Sequence, residues 1–132
     1  MGYVQYPITG RYSAATPSAN NTEVLERLSF FYVDTSGDRQ AVVLGSTDYI
    51  ELCTLQLNCL ASAVFNIYGG SDNVIDACEQ LFLIKATSGT SPNFRFRMPR
   101  RSQLGTYPKL KQVGGVDTQT DAVVEGFWYK NG

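Results

Sequence analysis

The segment Phe94-Arg95-Phe96-Arg97-Met98-Pro99-Arg100-Arg101 decides the reading of the fold. From Phe94 to Met98, apolar and basic residues alternate with period two, the side-chain period of a β-strand. Phe94, Phe96 and Met98 are expected to face a core, with Arg95 and Arg97 pointing out together. Pro99 is expected to stop the strand, because it cannot donate to a ladder.

The same alternation recurs on both sides. Ala61-Ser62-Ala63-Val64-Phe65-Asn66-Ile67-Tyr68 puts Ala61, Ala63, Phe65 and Ile67 on one side. Ile50 and Leu52 share one parity, whereas Leu55 and Leu57 share the other. A one-residue slip that keeps the core face predicts a bulge near Cys53-Thr54, with a short helical stretch over Leu55–Leu60 as the alternative. Residues 24–33 read as a strand, with a helical turn over Glu23–Leu28 as the alternative for its start, and Gln40-Ala41-Val42-Val43-Leu44 returns across the turn cluster Asp34-Thr35-Ser36-Gly37-Asp38 as the second strand of a hairpin. Leu81-Phe82-Leu83-Ile84 reads as a strand buried on both faces. Residues 100–111 read as irregular. Ala122–Tyr129 carries large apolar groups on both parities, which suits a central strand or one covered by another subunit.

About eight short strands with turns roughly every 8–12 residues predict an all-β fold: a single-domain antiparallel β-sandwich, jelly-roll-like, or a barrel. Residues 3–8 read as a short strand or an extended arm, with Pro7 keeping them off a central ladder position; residues 9–22 are small and polar, and residues 1–22 together read as an extended N-terminal arm. Residues 23–132 read as the single β-sandwich domain. Tyr3, Tyr6 and Tyr12 are the expected anchors of the arm on a partner, because Tyr gives large contact area at low entropy cost.

Charge is unevenly placed along the 132 residues, although the net charge is −1. Residues 1–79 sum to −6, residues 80–116 to +7 and residues 117–132 to −2. The basic block holds Lys85, Arg95, Arg97, Arg100, Arg101, Lys109 and Lys111. A balanced total argues against non-specific nucleic-acid wrapping. It suits pairing of a basic region with the acidic region of a neighbour, or simply solvated strand faces.

Common catalytic sets are missing. The chain has no His, which removes Ser-His-Asp and Cys-His arrangements and the usual zinc ligands. No phosphate-binding glycine motif and no nucleophile elbow is present. Asp48 with Glu51, and Asp72 with Asp76, are close acid pairs before residue 79, and each lies at or beside a turn. No enzyme activity, cofactor or metal is therefore expected. Cys53, Cys59 and Cys78 lack paired spacing and read as buried free thiols of a reducing compartment. No apolar run reaches the roughly 20 residues of a membrane helix.

A Tyr-containing polar arm, a compact β-domain, low charge content and the closing strand Ala122–Tyr129 together resemble the small capsid decoration, or cement, proteins of tailed bacteriophages. The resemblance implies a non-enzymatic virion protein, made in the host cytoplasm, that stabilises the phage head. It implies the major capsid protein or other virion subunits as partners, and a homo-oligomer, most simply a trimer. The contacts would come from Tyr3, Tyr6 and Tyr12 and from Arg95, Arg97, Arg100, Arg101, Lys109 and Lys111. Neither a membrane nor specific nucleic acid is implied. A tail or baseplate component and a carbohydrate-binding β-sandwich, with Trp128 as stacking platform, are the alternative readings.

Overall fold

The computed structural model describes residues 2–18, 26–70, 80–87 and 93–132. Its strands are β1 (Tyr3–Ser18), β2 (Glu26–Arg27), β3 (Ser29–Val33), β4 (Arg39–Ala41), β5 (Tyr49–Cys59), β6 (Ala63–Tyr68), β7 (Gln80–Ala86), β8 (Asn93–Arg101), β9 (Lys109–Gly115) and β10 (Thr118–Asn131). They form two antiparallel sheets and, among the described residues, no helix. The larger sheet runs β4-β3-β1-β10-β5-β8, and the smaller runs β2-β9-β6-β7. The fold is an all-β sandwich, as the alternation predicts, although β1, β5 and β10 are far longer than the short strands expected.

The core lies between the sheets. Leu28, Phe30, Ile50, Leu52, Leu55, Leu57 and Val124 meet Phe65, Ile67, Ile84 and Leu110, all nearly inaccessible to solvent. Burying each of these large side chains contributes about 1.5–3 kcal/mol. Ala63, Phe65 and Ile67 are buried on one parity of β6, as their alternation indicates.

Residues 1–22, expected as an arm, contain instead a strand at the centre of the larger sheet. β1 pairs with β10 from Tyr3↔Asn131 to Ser18↔Thr118 and with β3 over Thr9–Arg11. Its inner parity, Tyr6, Ile8, Gly10 and Tyr12, packs on the core. Gly10 leaves room for the Phe30 ring, and a Cβ there would also lie 2.6 Å from Val124 Cγ2. Pro7 fits because β1 is paired only to β10 at that point, which makes the position locally an edge. Residues 19–22 fall outside the described residues.

The predicted slip in β5 is present. Glu125 pairs with Thr54 but Gly126 pairs with Leu52, which leaves Cys53 as the extra residue. A Cβ on Gly126 would drive into the Glu51 carbonyl, so the bulge depends on glycine there.

Two readings are corrected. β7 is an edge strand, paired only with β6 among the described residues, and Leu83 is 54% exposed rather than buried. Residues 109–111 belong to β9, not to an irregular stretch. The basic residues at 109 and 111 hid this strand, in which Lys109, Leu110, Lys111 and Gln112 are all buried.

Candidate functional site

The feature that no core requirement explains is the outer face of the six-stranded sheet. One row crosses all six strands: Ala41, Phe31, Thr9, Glu125, Thr54 and Arg95 are successive partners. Arg11, two residues along β1 from Thr9, and Arg39, two residues along β4 from Ala41, flank this row. With Pro7 and Phe127 they line a shallow groove of about 800 Å³. The Arg39 guanidinium lies 3.8 Å above the Phe31 ring. Such stacking leaves the N–H edges of the guanidinium free to donate. Glu125 is the one carboxylate among the groove's lining residues.

Towards the chain termini the same face carries an aromatic group. Tyr49 and Tyr129 stack at 4.7 Å, Tyr3 meets Tyr49 edge-on at 5.2 Å, and the Arg101 guanidinium sits 3.8 Å over Tyr49. Gln5 Nε2 donates to Tyr129 Oη at 2.9 Å, and Tyr129 O–H donates to Glu51 Oε1 at 3.3 Å. Burial, reinforced by the Glu51 charge, pushes the Tyr129 phenol up. These contacts hold the end of the face together.

The sequence-derived site residues separate into three groups. Arg95 joins the groove, and Arg101 packs on Tyr49. Arg97 and Arg100 are exposed on β8, where the strand loops out: between Leu52↔Arg100 and Thr54↔Arg95, β5 advances two residues and β8 five. Phe94 and Phe96 turn inward onto Phe82, but Met98 is 75% exposed on this outward loop, not in the core. Lys109 and Lys111 leave the basic surface, since each is only 6% exposed; Lys109 Nζ donates to the Gly70 carbonyl at 2.6 Å. Tyr3 anchors within its own chain, where its O–H donates to the Thr47 carbonyl at 3.0 Å, and Tyr6 and Tyr12 pack on the core.

Sequence reasoning missed Arg11, Arg39, Phe31 and Glu125 as one group. They lie on four strands, and the registers of β1 with β3 and β10 and of β3 with β4 bring them together. Reading Thr9 and Arg11 as one parity of a strand would have been the available signal.

The acid pairs do not assemble a site. Asp48 is 3% exposed and serves the inner side. It accepts hydrogen bonds from Trp128 Nε1 at 3.2 Å, Gly45 N at 2.8 Å and Asn131 N at 2.9 Å. Burial acts to raise its pKa, but these donors and the Lys130 charge outweigh it, so the carboxyl is held below 3.8. Glu51 faces the opposite side, on Tyr129. Asp72 and Asp76 are outside the described residues. Trp128 is buried, with Tyr6 at 5.1 Å and Tyr32 at 5.5 Å, so it offers no stacking platform for a sugar.

Cys53 and Cys59 are free thiols, the first half-buried beside the groove and the second buried. Burial pushes both up; for Cys53 the Glu51 charge adds to this and Arg95 opposes it. Cys78 lies outside the described residues.

No protein-family model matches the chain. No curated protein matches it either. Among solved structures, the chain is similar to a subunit of Bacillus endospore appendages, which form a novel family of disulfide-linked pili. The likeness has a TM-score of 0.50 at 13% sequence identity, and covers 99% of this chain and 90% of that one. This finding corrects the resemblance to phage decoration proteins. With it fall the reading as a virion protein bound to the major capsid protein, the virion location, and the tail and sugar-binding alternatives.

Proposed function

We propose that this chain is a structural subunit, with no catalytic role, that associates with identical copies into a surface filament. The full-length likeness to a pilus subunit supports the reading, and one observation of this chain carries it: the outer edge of β7, unpaired among the described residues. Seven residues, Gln80–Ala86, have one strand partner among the described residues, and Leu81, Phe82 and Leu83 make that edge apolar. An unpaired apolar edge is a template for a strand from another chain. Joining such an edge head to tail with a different edge of the next copy is heterologous and propagates without closing.

The other large edge is ill suited to this. β8 is interrupted by its outward loop and by Pro99, and it carries Arg95, Arg97, Arg100 and Arg101, features that discourage pairing. Growth that couples the β7 edge of one copy to a different part of the next therefore has a defined direction. Cys59 is buried and Cys53 half-buried, and burial pushes both thiols up, so association here is assigned to strand pairing rather than to a Cys53 or Cys59 crosslink.

Electron microscopy of the concentrated protein in reductant tests the reading. Fibres of uniform width are expected. Dispersed single particles at every concentration would contradict it.

A further inference from the structure

We propose that the groove on the outer face of the six-stranded sheet docks an extended acidic polypeptide segment of another protein. The inference concerns a different surface from the β7 edge and stands independently of self-association.

The groove carries a net positive charge, three arginines against one carboxylate. Arg11, Arg39 and Arg95 are exposed, and no ion pair ties them to a carboxylate among the described residues. Against them stands Glu125 alone among the lining residues. Guanidinium forks match carboxylates in two-point geometry, and Phe31, Phe127 and Pro7 give an apolar floor for the stems of a peptide.

The spacing of the charges selects an extended chain over a point anion. Arg39 is on β4, Arg11 on β1 and Arg95 on β8, which spread the charges across the whole sheet order. At about 4.8 Å per strand step, β4 to β8 spans roughly 24 Å, the length of about seven extended residues. A phosphate or single carboxylate reaches one of these arginines at a time. Because Glu125 lies mid-row, the segment fits best with acids at both ends and neutral residues between. Among the described residues, this chain's own acids supply no such segment. Asp34 accepts from Ser36 N and Asp38 N within its own turn, Asp48 is buried, and Asp121 and Glu125 lie within β10 at the sheet centre.

The test is calorimetric titration of the full chain, at low ionic strength, with the blocked peptide Glu-Glu-Ser-Thr-Ser-Glu-Glu, its Gln counterpart and polygalacturonate. Saturable binding of the Glu peptide is expected, and none of the Gln peptide. Arg39→Gln with Arg95→Gln should weaken binding about tenfold or more, whereas Arg97→Gln with Arg100→Gln, outside the groove, should leave it within about twofold. Glu125→Gln keeps all three arginines and should tighten binding by about twofold or more. Circular dichroism checks that each variant is folded. Absence of saturable binding, or equal losses in the two arginine pairs, would overturn the proposal. So would tighter, groove-dependent binding of polygalacturonate, which would assign the face to a glycan. Loss of self-association in the groove variants, with no peptide binding by the wild type, would assign it to subunit contacts and overturn it equally.

Discussion

Asp48 shows how much one residue can hold. Its carboxylate joins the turn after β4 to the end of β10 through Gly45, Trp128 and Asn131. Asp48→Ala leaves buried donors unsatisfied and should cost about 3 kcal/mol, measured by urea denaturation. The pH dependence follows from the lowered pKa. Unfolded, the group titrates near 3.8; folded, it titrates lower. Its contribution is thus complete above 3.8 and is lost as pH falls through the folded value. Wild-type stability should therefore drop in that acid window, and Asp48→Asn should flatten the drop. Gly126 is the second such residue. Gly126→Val forces a side chain into the Glu51 carbonyl and should cost about 3 kcal/mol by thermal melting. Neither role was legible in the sequence. Asp48 reads as a solvated turn acid because two of its partners lie some eighty residues away, and Gly126 reads as a flaw in a strand until Leu52 and Thr54 are seen opposite it.

At the level of elements, β1 carries the main difference between expectation and structure. An arm can be removed from a domain; a strand between β3 and β10 cannot. Deleting residues 2–13 should abolish cooperative unfolding, and a folded, cooperative deletion variant would show that β1 is dispensable. The sequence concealed this strand for physical reasons. Its inward positions alternate Tyr6, Ile8, Gly10 and Tyr12, so one glycine interrupts the apolar count, and Pro7 argues against a ladder unless its local single pairing is known. The β5 bulge, by contrast, was legible, because Ile50, Leu52, Leu55 and Leu57 record the slip in their own parity. β7 was half-legible: four apolar residues announce a strand but not whether it is central or at an edge. Its edge position gives a prediction. Leu83→Lys puts a charge on the open edge and should weaken self-association about tenfold, read by sedimentation, without lowering the melting temperature.

For the whole molecule, alternation was enough to identify an all-β sandwich, because each sheet buries one face and each strand repeats the pattern. Charge was less informative. The basic block of residues 80–116 disperses in space: Arg95 to a groove, Arg101 to a tyrosine, Arg97 and Arg100 to a looped edge, Lys109 and Lys111 to buried positions. Chain order does not carry over to surface patches in a fold whose sheets are assembled from distant strands. The function followed the same limit, since what distinguishes this molecule is an edge and a face, and both are properties of register. The central claim is self-association through an open edge. It is tested most directly by solution mass, from light scattering in reductant, over a wide range of protein concentration. The account predicts mass that grows with concentration and does not level at a closed oligomer. A constant monomer mass, or a plateau at one small closed assembly, would contradict it.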